Sequence, residues 1–439
     1  MTKSRLHKPF PFVIKLHDGY HGNKEDAATM DTGPLQRRNF VAFLIHALFL
    51  ALTLNFIDIN TVVPNMLAQA GGTALHMGIL SAIMIGGTRF MQLLFAGMIV
   101  PLRRKKPALL AGIYIRVAAL VVLGFFIKTL SEPSAVHVWT IIMVMTVFSF
   151  SGAYANIAYT DIMGKVIIAE KRKRLLVIKQ LLSSIGVIVS ALVVKIILSE
   201  VSYPANYSLL FLLGGILLLL GTVGFWMIIE QEGPGTTRVL SGGQFARFSS
   251  IIRSDANLRR YLLLINTTGV VVSTLPFLLL YARTRFPVDG SMTGTFLLVQ
   301  MIGALGANLL LSLFSKDQKY RPLLYLFIAT SAITPIMALL VPASAWWYAP
   351  VFLLSGIAHT LNQIVSSGVL LEISTDENRA IYTGISGAGS VMQVLYPLLF
   401  GLLAGSLGYA FMLIATSLYM CAGLFAAKRL SCERLNLSA

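Results

Sequence analysis

Long apolar stretches, separated by short polar or basic segments, run along the chain from residue 39 to residue 427. Twelve can be marked out, at 39–64, 76–100, 108–128, 137–161, 175–199, 207–229, 260–281, 293–314, 322–341, 347–371, 381–405 and 407–427. Each is close to the roughly 20 residues that a helix needs to cross the hydrocarbon core of a bilayer. Backbone polar groups in hydrocarbon must be satisfied within the segment, so these are helices rather than strands. Six lie before a polar break near 230–259 and six after it. The pattern predicts an all-α integral membrane protein with twelve transmembrane helices in two six-helix bundles, 37–230 and 259–430. A cytoplasmic tail (1–36), a central cytoplasmic loop (231–258) and a short cytoplasmic tail (431–439) complete the division.

Composition agrees with that reading. Hydrophobic residues make up 56% of the 439, charged residues only 12%, and mean hydropathy is +0.77, beyond what a soluble chain of this length carries. The formal charge of +17 first brings nucleic acid to mind, but its placement says otherwise. With residue 1 inside, most of the Lys and Arg fall in the N-terminal tail, the second, fourth, middle and eighth loops, and the C-terminal tail. Outer loops at 68–76, 200–206, 342–346 and around 406 hold none. This positive-inside pattern predicts that both termini are cytoplasmic. No stretch folds as a basic domain with interleaved aromatics, so no nucleic-acid partner is expected; the basic loops meet anionic lipid headgroups instead. Residues 1–36 lack the compact apolar core and cleavage site of a signal peptide. Cys421 and Cys432 make neither a disulfide framework nor metal-ligand spacing, and no metal or cofactor is expected.

The two halves echo each other. TVVP (Thr61 to Pro64) late in the first helix matches STLP (Ser273 to Pro276) late in the seventh, each preceded by an asparagine, Asn55 or Asn266. IGG from Ile85 matches IGA from Ile302, and the segment opening at Glu170 matches the one opening at Glu377. The separations of 212, 217 and 207 residues indicate a duplicated six-helix unit, as in many transporters. Six plus six helices, a long central loop and a short basic second loop resemble the major facilitator superfamily over about residues 37–430. The family's second-loop signature has the form Gly-x-x-x-Asp-x-x-Gly-Arg-Arg/Lys. Here it reads GMIVPLRRKK, Gly97 to Lys106, with Pro101 in place of the Asp and Arg104 in place of the second Gly. The resemblance implies a cytoplasmic gate of an acid ending helix four or ten and an arginine opening the next helix. Asp161 with Arg172 or Arg174, and Glu372 with Arg379, fit that arrangement.

Ionisable groups in hydrocarbon are costly and mark functional sites by default. Three lie deep: Asp58 in helix one, Arg89 in helix two and Arg116 in helix three. At 1.5 Å per residue, Arg89 is about 18 Å from the cytoplasmic end of its helix, Arg116 about 12 Å and Asp58 about 28 Å. One reading is a buried ion network holding helices one to three in register. The other is that Arg89 faces a central cavity and binds an anionic solute, while Asp58, desolvated, carries a coupling proton. Arg116 is the weaker candidate, because the resemblance makes helix three peripheral. Lys179 and Lys195 read as snorkelling residues.

The resemblance further implies that helices one, four, seven and ten line the cavity, and that helices two and eleven face each other between the halves. Candidate solute contacts are then Arg89, Asn55, Asn60, Gln92, Tyr154, Asn266, His359, Asn362 and Gln393. His46, Asn156, Tyr159, Ser273 and Gln363 are further polar residues on those helices. Each also reads as a polar link between helices. Neither a P-loop nor a hydrolase or zincin motif appears, and SGGQ (Ser241 to Gln244) stands in a short loop without its domain. The expected function is therefore non-enzymatic. It is a secondary active transporter, working by alternating access on a small organic, anionic solute with protons as coupling ion. The protein is expected to be a monomer in the plasma (bacterial inner) membrane. Alternatives are a lipid or amphiphile flippase or drug exporter of the same fold, or a non-transporting membrane receptor or assembly factor.

Overall fold

The computed structural model describes residues 32–130, 132–230, 232, 244–314, 320–342, 344–375 and 378–430. Residues 1–31 and 431–439 of the predicted tails, and residues 231 and 233–243 of the central loop with Ser241 to Gly243 of its SGGQ run, lie outside the described residues. So do the side chains of Arg89 and Arg379.

The described regular structure is entirely helical. The first apolar stretch forms α1 (Thr32–Phe56) and α2 (Val62–Gln69). Next come α3 (Ala74–Ile99), α4 (Lys106–Ile127), α5 (Ala135–Val166), α6 (Ala169–Glu200) and α7 (Ala205–Met227). A short α8 (Gln244–Ser254) leads into α9 (Ala256–Thr267), which a 3-10 turn (Thr268–Val270) joins to α10 (Val271–Arg285). The remainder are α11 (Gly290–Phe314), α12 (Tyr320–Leu340), α13 (Ala345–Ile373), α14 (Arg379–Gly389), α15 (Met392–Leu407), α16 (Tyr409–Cys421) and α17 (Gly423–Arg429). Among the described residues, eleven spans are long and apolar enough to cross a membrane. The tenth predicted stretch, α13, is a 29-residue helix but is not one of the eleven, because His359, Asn362 and Gln363 interrupt its apolar run.

The turns at 100–105 and 167–168 lie on one side, the basic face; those at 70–73, 201–204 and 286–289 lie on the other. Within the first six spans α1 packs on α6 and α7, and α4 on α5 and α7. Further along, α11 packs on α13, and α12 on α13 and α16. Two long seams join these groups, α3 along α15 and α6 along α11. The predicted fourth loop is far shorter than expected, because α5 and α6 extend to within two residues of each other. Lys171, Arg172 and Arg174 belong to the first turns of α6, where good helix-forming residues with long stems keep their charges in water.

Several spans are broken, and polar side chains stitch the breaks. Pro64 cannot follow a continuous helix without meeting the carbonyl four residues earlier, and the first span breaks at 57–61. Asp58 closes that break: its Oδ2 accepts from Asn60 N (3.0 Å), Thr61 N (2.8 Å) and Thr61 Oγ1 (2.8 Å). The seventh span turns 3-10 at 268–270 and the eleventh breaks at 390–391, side by side. Asn266 Nδ2 donates to Gly389 O (2.7 Å), and its Oδ1 accepts from Met392 N (2.9 Å). In return, Gln393 Nε2 donates to Ile265 O (3.3 Å), and Ser273 Oγ donates to Gln393 O (2.6 Å). These bonds satisfy backbone groups that the breaks expose, as hydrocarbon requires. Asn266→Ala is therefore expected to cost about 1–3 kcal/mol, visible as a lower Tm of the detergent-solubilised protein. An unchanged Tm would show that water replaces the amide.

Candidate functional site: an unpaired arginine in a cavity

A cavity of about 490 Å³ lies among α1, α3, α4, α5 and α6. Its apolar wall includes Leu50, Leu54, Met84 and Ile113; its polar lining is His46, Gln92, Ser149, Asn156, Tyr159, Arg116 and Lys179. Arg116 and Lys179 each sit ten residues into helices that start at the basic face. Arg116 is thus about 15 Å from the start of α4, beside Phe148 and Gly152 of α5, while Lys179 meets Tyr159, nearer the basic-face end of α5.

Helix α4 brings Arg116 to the cavity past α5, where its side chain passes close to Gly152. A Cβ there would lie 3.3 Å from Arg116 Nε. The guanidinium stacks over the Phe148 ring, 4.2 Å from its centroid. Its Nε is buried without a hydrogen-bond partner, and among the described residues no carboxylate pairs with it. Lys179 Nζ donates to Tyr159 Oη at 2.9 Å and sits 4.9 Å from that ring's centroid. His46 is occupied elsewhere, its Nδ1 3.4 Å from Gly221 O and its ring 4.1 Å from that of Phe225. Among the described residues no acidic side chain lines the cavity. The site thus carries two cations with uncompensated charge and several neutral hydrogen-bonding groups, which suits an anion.

The structure gathers only part of the sequence-predicted set. Gln92 lines this cavity. Asn55 does not: its Nδ2 donates to Val187 O (2.5 Å) and Ser190 Oγ (2.9 Å), tying α1 to α6. Asn60 belongs to the Asp58 turn, and Asn266 and Gln393 to the stitched breaks. Tyr154 packs edge-on against Phe95. On α13, His359 Nε2 lies 3.1 Å from Gln363 Nε2 with its own Nδ1 buried and unpartnered, and Asn362 Oδ1 accepts from Ser366 Oγ (3.5 Å). Asp58 pairs with no cation among the described residues, so a trio of deep charges is not formed there.

The gate pairing also needs correcting. Asp161 Oδ2 pairs with Lys105 (2.8 Å) and Lys165 (2.9 Å), not with Arg172. Arg172 instead turns back to cap α5, donating to Gly164 O (2.6 Å) and Ile167 O (2.9 Å). The buried carboxylate of Glu230 accepts from the backbone N–H groups of Lys105 and Lys106 (2.7–2.9 Å) and lies 3.5 Å from Lys165. Glu372 has no ion-pair partner among the described residues.

At the opposite face lies a buried polar node that sequence reading missed. Asn65 on α2 donates through Nδ2 to Tyr207 Oη (2.9 Å) and Thr293 Oγ1 (2.6 Å), and its Oδ1 accepts from Arg283. Asn65, Tyr207 and Thr293 are fully buried. The node joins α2 and α7 to α10 and α11. Both seams are tight here, since a side chain at Gly78 or Gly290 would run into the backbone of Pro397 or Leu198. Nearer the basic face, a Cβ added at Gly97 on α3 or Gly306 on α11 would meet no other described part of the chain within 4 Å. The one signal in the sequence was Asn65 itself, a strong hydrogen-bonding residue directly after Pro64.

Comparison with known proteins places this architecture. No curated protein matches the chain in sequence. Among solved structures, a nucleoside transporter NupG variant aligns over 89% of this chain and 99% of its own, with TM-score 0.66 and 12% identity. The xylose transporter XylE from E. coli, inward open, covers 91% and 98% with TM-score 0.65 and 13% identity. A POT family transporter in complex with 5-aminolevulinic acid covers 91% and 96%, with TM-score 0.66 and 11% identity. These likenesses concern the fold. The family model of the Major Facilitator Superfamily matches residues 44–390, and this chain, a multi-pass membrane protein, belongs to that family.

Proposed function

We propose that this protein is a secondary active transporter that moves a small organic anion by alternating access, coupled to protons. Twelve spans, with α13 as the tenth, form two bundles at 37–230 and 259–430, and the protein works as a monomer. The basic face and both termini lie in the cytoplasm beneath the plasma (bacterial inner) membrane. One observation carries the solute class: Arg116 reaches a cavity that no carboxylate lines among the described residues. Alternating access is supported by the contrast between the faces. The seams are packed and bridged at the Asn65 node, while the cavity opens on the other side of that node, toward the basic face. The solved relatives' names include a nucleoside and a sugar transporter, so the fold leaves the solute open and the cavity's charge selects it.

Purified protein in liposomes is expected to accumulate organic carboxylates or sulfonates from a panel that also contains nucleosides and sugars. Uptake of neutral solutes alone would overturn the anion assignment, and no flux of any solute would overturn the transporter.

Asp58 is the one acid deep in the bundle among the described residues, and it is the proposed proton site. Its geometry also makes it a cap, and two variants separate the roles. Asp58→Asn keeps an oxygen for the Asn60 and Thr61 N–H groups but removes the titrating proton. It is expected to fold and yet lose acceleration of uptake by a pH gradient. Asp58→Ala loses the cap as well, at about 0.5–2 kcal/mol. Undiminished gradient dependence in Asp58→Asn would leave Asp58 purely structural.

A further inference from the structure

We propose that the groove between the basic-face ends of α4 and α7 binds an anionic phospholipid. The groove measures about 640 Å³ and is lined by Arg104, Lys106, Leu110, Tyr114, Trp226 and Ile229, among others. Its aromatic wall is preformed: Trp226 Nε1 donates to Tyr114 Oη at 2.7 Å, although the two side chains are 59% and 37% exposed. Lys106 Nζ is fixed at the rim by Trp226 O (2.9 Å) and Ile228 O (2.8 Å). On the other side of Met227 lies a second groove of about 500 Å³ lined by Arg37 and Arg38, and Arg38 Nε donates to Met227 O at 2.6 Å.

Charge complementarity identifies the occupant. Four cations, Arg37, Arg38, Arg104 and Lys106, surround the end of α7. Two described acids are present, Glu230 in the groove lining itself and Glu232 beside it. Glu232 is paired with Arg104 at 3.0 Å, and Glu230, whose side chain is 2% exposed, is taken up by the Lys105 and Lys106 N–H groups and Lys165. The excess is positive and faces outward. From the groove toward the opposite face runs an exposed apolar track of Ile115, Val122 and Phe125 on α4, and Leu219 and Val223 on α7. A phosphate headgroup meets the cations while an acyl chain follows the track. A neutral lipid leaves the cations unanswered, and a soluble anion has no use for the track. The headgroup sits directly outside the loop whose N–H groups Glu230 holds, so the lipid braces the Asp161–Lys105–Lys165 cluster from outside. This assignment is independent of the transported solute.

The test uses the full-length protein purified in a neutral detergent. Native mass spectrometry and thermal unfolding are compared with phosphatidylglycerol, phosphatidylcholine and soluble glycerol phosphate. Phosphatidylglycerol is expected to be retained about tenfold or more over phosphatidylcholine and to raise Tm, with glycerol phosphate doing neither. Arg37→Gln/Arg104→Gln changes no capping contact and is expected to remove the preference. Trp226→Ala is expected to weaken retention of phosphatidylglycerol. Equal retention of both lipids, equal action of glycerol phosphate, or a preference that survives both variants would overturn the assignment.

Discussion

Arg116→Gln is expected to abolish uptake of the organic anion and, at the same time, to leave the empty protein more stable. Both effects follow from one fact. Arg116 sits at the cavity over Phe148 with a buried Nε and no acidic partner. A buried unpaired charge is unfavourable, so its removal relieves the empty protein. With solute bound, the guanidinium makes charge-assisted hydrogen bonds to a carboxylate or sulfonate in a site of low dielectric. Losing them costs about 2–4 kcal/mol, or roughly 30- to 1000-fold in affinity. Arg116→Lys keeps the charge but loses the planar fork, and should retain weak uptake. The sign of the Tm change is the discriminating measurement. An arginine that merely cemented helices would lower Tm when replaced. Wild-type uptake by the Gln variant would remove Arg116 from the solute path, and Lys179 would become the cation to test.

Asn65→Ala is expected to open the face opposite the cavity. In this structure Asn65 accepts from Arg283 and donates to Tyr207 and Thr293, all within a buried node between the two groups of helices. Without the amide, Tyr207 loses its side-chain partner and Arg283 keeps only a long bond to Val288 O (3.4 Å), unless the seam parts and water enters. Each orphaned buried group costs about 1–3 kcal/mol. A shift of 2–3 kcal/mol in a two-state equilibrium changes its ratio by about 30- to 150-fold. A cysteine replacing buried Leu198, at the same seam beside Gly290, reports the change. An impermeant thiol reagent added from that side should label it far faster in the Asn65→Ala background. Asn65→Gln, which keeps the functional group, should label at an intermediate rate. Equal labelling in all three backgrounds would mean that the node does not hold the face shut.

The hydrophobic stretches predicted the helices; the breaks within them were not predicted. Pro64 and Pro276 stood in matching positions, and the structure breaks or tightens the helix near each. The lengths of α5 and α6 were less legible, because Lys and Arg after Glu170 read as a loop and instead open a helix. Sequence proximity was misleading at Asp161. Arg172 stands close along the chain, but Lys105 arrives from another helix and Arg172 turns back onto the carbonyls of α5. Asn55 and Gln92 looked alike as polar residues in apolar spans, yet one bonds α6 and the other lines the cavity.

By itself the sequence determined which segments are apolar enough for a membrane and how deep along the bilayer normal each charge sits, because depth needs only a count of residues at a constant rise per residue. Only the tertiary structure decided which way Arg116 and Asp58 face. In lipid a helix is apolar nearly all round, so no amphipathic stripe records its rotation. Rotation is set by the neighbours it packs against: Arg116 lies over Phe148 of α5 at the cavity, and Tyr207, Arg283 and Thr293 on three other helices converge on Asn65.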